Sequence, residues 1–302
     1  MNGKVLTNEE IEHFIERGWV KVSEAYPREL ALECQRFVWE QLRPFGIDPE
    51  DRGTWDKPIH YLREAYKTPA FDRCNTERMA DAIEDLAGHG RWIDRGVYGK
   101  EEVVATWGWW PVNFSLGAER PWTVPTAGWH WDGGHFRHYV DSPEQGLLCL
   151  CIFSEIGPQG GGTLIVEGSH RVVARFLERH PEGLEPQEGI DKLNLEHPYL
   201  SELTGLTGAG TDDPDRVGKF MGGWHTDADG FNLRVAETTA SPGDIILCHP
   251  FLYHTPSQNH SGVPRFMCNQ KTPLKERMDF DRADPADYSP VEISIRRALG
   301  RE

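Results

Sequence analysis

Gly243-Asp244-Ile245-Ile246-Leu247-Cys248-His249-Pro250-Phe251-Leu252-Tyr253-His254 reads as a turn, a buried strand and a polar exit. Glycine and aspartate make the turn, an uncharged apolar run forms the strand, and Pro250 closes it because proline cannot donate to a ladder. Outward from it, Val103 to Trp107, Pro111 to Leu116, Gly146 to Phe153, Thr163 to Val166 and Arg265 to Gln270 carry the same signature. Residues 1–100 read differently. Thr7-Asn8-Glu9-Glu10 is a capping box, Ile11, Phe14 and Ile15 follow at helical spacing, and Gly18 offers a left-handed stop. Trp19 to Val22 alternates like a strand, a second helix starts at Pro27, and a third runs from about Asn75 to Leu86. Helices followed by strands predict a mainly β protein with flanking helices, a sandwich or barrel in a single domain over 1–302. Its helices occupy 1–100 and its core about 101–275. From about Pro181 to Gly230 the chain is rich in Gly, Asp, Pro and Glu, and is expected to be a lid over a pocket or a plain surface insertion. Val172 to Glu178 reads as a short helix.

The chemistry concentrates in Gly128-Trp129-His130-Trp131-Asp132. Residues two apart on a strand project to one side, so His130 and Asp132 can converge on one point, while Trp129 and Trp131 face away. An imidazole and a carboxylate suit Fe(II), and one more imidazole completes a facial triad with open positions. Two histidines compete for that place. His254 lies 265 − 254 = 11 residues before Arg265, whereas His249 comes five residues earlier and reads as a strand histidine held by hydrogen bonds. A guanidinium at Arg265 can return across the sheet and take a carboxylate bidentately. That matches 2-oxoglutarate, whose keto-acid end chelates iron while its distal carboxylate needs a fixed cation.

These residues resemble the phytanoyl-CoA dioxygenase family of Fe(II)- and 2-oxoglutarate-dependent oxygenases. The resemblance lies in H-W-D at 130–132, G-G-T-L-I-V-E-G-S-H-R at 161–171, G-D-I-I-L at 243–247, and H-x4-N-x-S-x3-R from His254 to Arg265. It implies a double-stranded β-helix, or jelly roll, with iron on His130, Asp132 and His254 and 2-oxoglutarate on Arg265. Asn113, Thr163 and Ser261 are further candidates for the cosubstrate, although the Asn113 amide reads first as structural. The implied reaction hydroxylates a small molecule with O2, converting 2-oxoglutarate to succinate and CO2; desaturation or ring closure are outcomes of the same chemistry. A metal-binding jelly roll acting as sensor or scaffold is the alternative from another class, and a zinc hydrolase on the same triad is a third. One departure is the strand at 146–153, which carries Cys and Leu where many relatives place a large aromatic.

Other features read in two ways. His135 and His138 can touch substrate or tune the ligands, or be loop histidines. Trp107, Trp109, Trp110, Trp122, Trp129 and Trp131 can wall the site against water or be core. Arg137, Arg171, Arg175 and Arg234 are cations an anionic substrate can meet. Gly160-Gly161-Gly162 has no P-loop lysine after it, and Gly168-Ser169-His170 lacks the second glycine of a nucleophile elbow. The 302 residues carry a formal charge of −16, which argues against nucleic acid and membrane as partners. The first residues lack the apolar core of a secretory signal, and no C-x-x-C occurs among Cys34, Cys74, Cys149, Cys151, Cys248 and Cys268. Buried, reduced thiols and a cytoplasmic location are expected, against the alternative of a thiolate metal site. Oligomeric state stays open.

Overall fold

The computed structural model describes residues 3–100 and 107–301. The chain opens with α1 (Asn8–Arg17), whose capping box forms: Glu10 N donates to Thr7 Oγ1 at 3.2 Å and Thr7 N to the Glu10 carboxylate at 2.8 Å. Gly18 ends it at φ 85°, where a Cβ would sit 2.5 Å from His170 Nδ1, so both backbone and space require glycine. Then come β1 (Trp19–Val22), α2 (Arg28–Leu42), β2 (Ile59–Leu62), α3 (Pro69–Cys74) and α4 (Glu77–Ala87). Pro27 caps α2 rather than entering its first turn, and α4 is the third helix expected from the spacing. The strand expected at Val103 to Trp107 lies outside the described residues except for Trp107. There follow β3 (Trp110–Asn113), β4 (Leu148–Ile152), β5 (Thr163–Glu167), α5 (Ser169–Glu178), α6 (Pro186–Glu196), α7 (Pro198–Leu203) and α8 (Arg216–Met221). The chain continues with β6 (His225–Thr226), β7 (Asn232–Glu237), β8 (Ile245–Cys248), β9 (His254–Pro256), β10 (Met267–Lys271) and α9 (Pro290–Ala298).

Two four-stranded antiparallel sheets result, ordered β1-β8-β4-β10 and β6-β7-β5-β9. Between them lie Leu148, Leu150 and Ile152 of β4, Ile165 of β5, Ile246 and Cys248 of β8, and Met267 of β10. Alternation turns Cys149, Cys151, Ile245, Leu247 and Cys268 to the other face, where they join Phe14, Ala31, Val38 and Phe71 of the helices in one apolar cluster. Both faces of the first sheet are therefore buried, which is why its strands read as continuous apolar runs. This is the jelly roll with helices on its outside. Each fully buried Leu, Ile or Phe stabilises it by about 1.5–3 kcal/mol.

All six cysteines are free and buried, and burial raises the thiols of Cys149, Cys151, Cys248 and Cys268. They pack as small apolar groups; among the described residues the one candidate metal cluster contains no cysteine. No helix among the described residues is long and apolar enough to cross a membrane.

The segment 181–230 departs from the irregular insertion expected. It folds into α6, α7, α8 and β6 and buries Ile190, Leu193, Leu200, Leu203 and Phe220. It also packs against the outside of the metal-motif segment: a Cβ on Gly189 would meet the Trp131 ring at 3.2 Å. Arg216, buried, donates to the carbonyls of Val124, Pro125, Leu203 and Gly210.

Candidate metal centre

The second sheet ends at β9, and the segment at His130 adds itself to that edge. His130 N donates to His254 O at 3.1 Å and His254 N to His130 O at 2.8 Å, a closed antiparallel bridge. The bridge sets the two imidazoles side by side, ring centroids 4.4 Å apart. Asp132, two residues beyond His130, returns to the same side: its Oδ1 lies 3.3 Å from His130 Nε2 and 3.8 Å from His254 Nε2. One donor atom from each residue lies within 4.8 Å of the others. Donors about 2.1 Å from a shared ion stand no more than about 4.2 Å apart, so the carboxylate–imidazole separations suit a single ion.

Both rings are aimed by the same device. His130 Nδ1 bonds to Gly128 O at 2.7 Å and His254 Nδ1 to Leu252 O at 2.9 Å. A carbonyl accepts only, so each Nδ1 carries the proton and each Nε2 is left with its lone pair toward Asp132. Burial, and then the neighbouring His130, lowers the pKa of His254 to about 4. Burial alone would lower His130 too, but the contact with Asp132 raises it. Asp132 is desolvated, yet His130, His254 and Lys271 together hold its carboxyl at about 2. The centre therefore offers one carboxylate and two imidazoles, a hard-to-borderline donor set.

Arg265 is 1% exposed, and the acceptors its guanidinium meets are Pro111 O at 2.8 Å and the Met267 sulfur at 3.5 Å. Its Nε has no partner, and burial pulls its pKa down to about 10. A buried guanidinium resting on a carbonyl and a thioether is a costly arrangement that an incoming carboxylate would relieve. Thr163 Oγ1 donates to the same Met267 sulfur at 3.9 Å, which brings it to Arg265.

The side chains of the other candidates are engaged with other partners. The Asn113 amide donates to Ser257 O and accepts from Leu116 N, both at 3.0 Å, so it ties strands together. Ser261 lies in the turn before β10, with its hydroxyl on Asn259 Oδ1 and Val263 O. His249 sits against His170 and Phe14 under α1, away from the triad, and accepts from Phe251 N. His138 is buried behind the motif, accepting from Trp131 Nε1 and bonding to Gly133 O, whereas His135 stands at the mouth beside Lys271. Trp129 and Trp131 face away from the ligands as alternation requires, Trp129 Nε1 donating to Pro125 O. Trp107 and Trp110 pack with Phe71 and Phe153 in the outer core, and Trp109 is exposed. Arg137, Arg171, Arg175 and Arg234 each pair with a carboxylate, on Glu185, Glu16, Asp229 and Glu167.

Lys271 was not singled out by any motif, yet its charge reaches Asp132. Only its face is legible in the sequence. Arg265, Met267, Asn269 and Lys271 follow one another at intervals of two, and strand alternation gives them one face.

No protein-family model matches the chain, and no curated protein matches it. Solved structures do. The chain is similar to EctD from S. alaskensis with 2-oxoglutarate and 5-hydroxyectoine, at 15% identity over 89% of this chain and 77% of that one, with a TM-score of 0.48. It is similar to the non-haem alpha-ketoglutarate-dependent epimerase SnoN from nogalamycin biosynthesis, at 15% identity, 86% and 79% coverage and a TM-score of 0.46. HygX from Streptomyces hygroscopicus with nickel, 2-oxoglutarate and hygromycin B matches at 13% identity, 87% and 86% coverage and a TM-score of 0.42.

Proposed function

We propose that the chain is an Fe(II)- and 2-oxoglutarate-dependent dioxygenase that hydroxylates a small molecule. The observation that carries the reading is the pairing of two features on one barrel: three ligands aimed at one point, and a buried arginine with no carboxylate of its own. A bare metal site, whether sensor, scaffold or hydrolase, has no use for Arg265. Fe(II) with 2-oxoglutarate and O2 supplies an oxidant for an unactivated C–H bond, one oxygen atom going to the substrate and the other to succinate as CO2 leaves. His130, Asp132 and His254 would hold the metal, their rings fixed by Gly128 O and Leu252 O. Arg265 would take the distal carboxylate, with Thr163 beside it. Leu148, Leu150, Ile246 and Met267 keep the interior apolar and exclude water. Six unpaired thiols suit a reducing compartment such as the cytoplasm.

The test needs no substrate. Purified protein given Fe(II), 2-oxoglutarate and O2 is expected to form succinate slowly, as uncoupled turnover, and His130→Ala to form none. Succinate at the His130→Ala level in the unaltered protein, together with no calorimetric binding of 2-oxoglutarate to the metal-loaded form, would end the proposal.

A further inference from the structure

The inner face of β10 runs from a buried cation to an exposed one. Met267 packs with Leu148 and Leu150 inside the barrel, which identifies the face, and Asn269 and Lys271 pair with Leu150 and Leu148 on β4. Arg265, just before the strand, is buried, and Lys271 at its far end is exposed. The Lys271 ammonium lies 3.2 Å from both ring nitrogens of His135. Burial, and then the Lys271 charge, lowers the pKa of His135, so the lysine's neighbour is a neutral ring. His135 follows Asp132 by three residues, so this contact holds Lys271 next to the segment that carries the Asp132 carboxylate. That carboxylate is a metal ligand in the reading above, on which this inference rests. A divalent ion, Asp132, Arg265 and Lys271 would together carry three positive charges; 2-oxoglutarate neutralises two. One positive charge stays over at the mouth, on the lysine.

The segment that runs alongside β10 carries exposed aromatic surface: Asn113 is bridged to Arg265, and Gly108 O receives Cys268 Sγ at 2.9 Å, which sets Trp109 beside the middle of β10. Tyr61 pairs with Pro111, whose carbonyl receives the Arg265 guanidinium, and Tyr61 lies in electrostatic reach of Arg265. The Trp109 ring lies 5.5 Å from Tyr61, and the two are 43% and 48% exposed. Trp109 holds φ at 63°, a strained backbone for a bulky residue of the kind found at ligand sites.

We propose that Lys271, backed by His135, anchors a single anionic group of the substrate beside the metal, and that Tyr61 and Trp109 receive the flat apolar part of that substrate. The substrate class is a small monocarboxylate with a planar body.

The test compares indole-3-acetate with indole-3-acetamide, probes alike in shape and different in charge. Ligand-observed NMR measures both on the full chain loaded with redox-inert Zn(II), with and without 2-oxoglutarate. The acid is expected to bind about tenfold tighter than the amide, as a charge-assisted hydrogen bond requires. Lys271→Met removes that preference and Lys271→Arg keeps it. Equal binding of acid and amide, binding of neither, or a preference that survives Lys271→Met overturns the proposal. Absence of 2-oxoglutarate binding in the same samples counts against the oxygenase reading instead; because the ion and Arg265 can then also take a carboxylate, Lys271 is judged there by the difference between the parent and Lys271→Met alone.

Discussion

At the scale of single residues, Arg265 sets stability against function. Its guanidinium is desolvated, its Nε is unpaired, and its pKa is pulled down to about 10, so the ligand-free fold bears the cost of a charge held out of water. An apolar residue of similar length removes that cost. Arg265→Met is expected to melt at the same temperature as the parent or higher without ligand, while 2-oxoglutarate affinity falls by about 30-fold or more. Metal affinity should not change, because none of the three ligands touches Arg265. Thermal melts with and without 2-oxoglutarate, beside calorimetry at saturating Zn(II), check all three. A large loss of melting temperature in the ligand-free variant would mean that Arg265 is structural.

At the scale of elements, Arg216 shows how a segment outside the barrel is fastened to the metal motif. It donates to carbonyls on both sides of the join: Val124 and Pro125 lead toward His130, and Leu203 and Gly210 belong to the α7–α8 region. Pro125 O also receives Trp129 Nε1. Arg216→Met leaves several carbonyls without a donor in a buried place, and a loss of about 3 kcal/mol or more is expected in chemical denaturation. A loss below about 1 kcal/mol would show that the carbonyls find other donors. Elements such as α1, α4, β4, β5, β8 and β10 could be read from the sequence because capping boxes, apolar periodicity and turn residues are local signals. The His130-Trp131-Asp132 pattern and the eleven-residue spacing from His254 to Arg265 are equally local. The segment 181–230 was not legible. Its helices α7 and α8 are six residues each, too short for a 3.6-residue period to stand out, and what orders them is burial against distant parts of the chain. Asn113 reads two ways in the sequence for a related reason: an amide's use depends on Ser257, far away along the chain. Lys271 carries no motif, and its place near Asp132 follows only once His130 is bridged to His254 and β10 is paired with β4.

At the scale of the whole molecule, acid should open the fold where α1 and α5 meet the end of β8. His170 and His249 are buried there with ring centroids 4.8 Å apart. His170 Nε2 donates to Ile15 O at 3.0 Å, and burial, then the Arg171 charge, lowers its pKa to about 3; burial likewise puts His249 well below its usual value. Both rings are neutral in the folded state and take up protons near pH 6.5 only when unfolded. Their contribution is therefore fully present above pH 6.5 and falls away as pH drops from 6.5 toward 3. For His170 alone the loss reaches about 2–3 kcal/mol by pH 4.5. Carboxylates with depressed pKa values, such as Asp132 and Glu292, lose their contribution only below the unfolded carboxylate range near pH 4, so the window from 6.5 to 4.5 belongs to the histidines. A net charge of −16 works the other way, because titrating acid groups relieves repulsion. Comparing the metal-free parent with metal-free His170→Asn cancels that background. Urea denaturation at pH 7.0 and 4.5 should show the parent losing about 2 kcal/mol more than the variant over the same interval. Equal losses would mean that His170 is protonated in the fold, with Ile15 O and a rearranged His249 accommodating the charge.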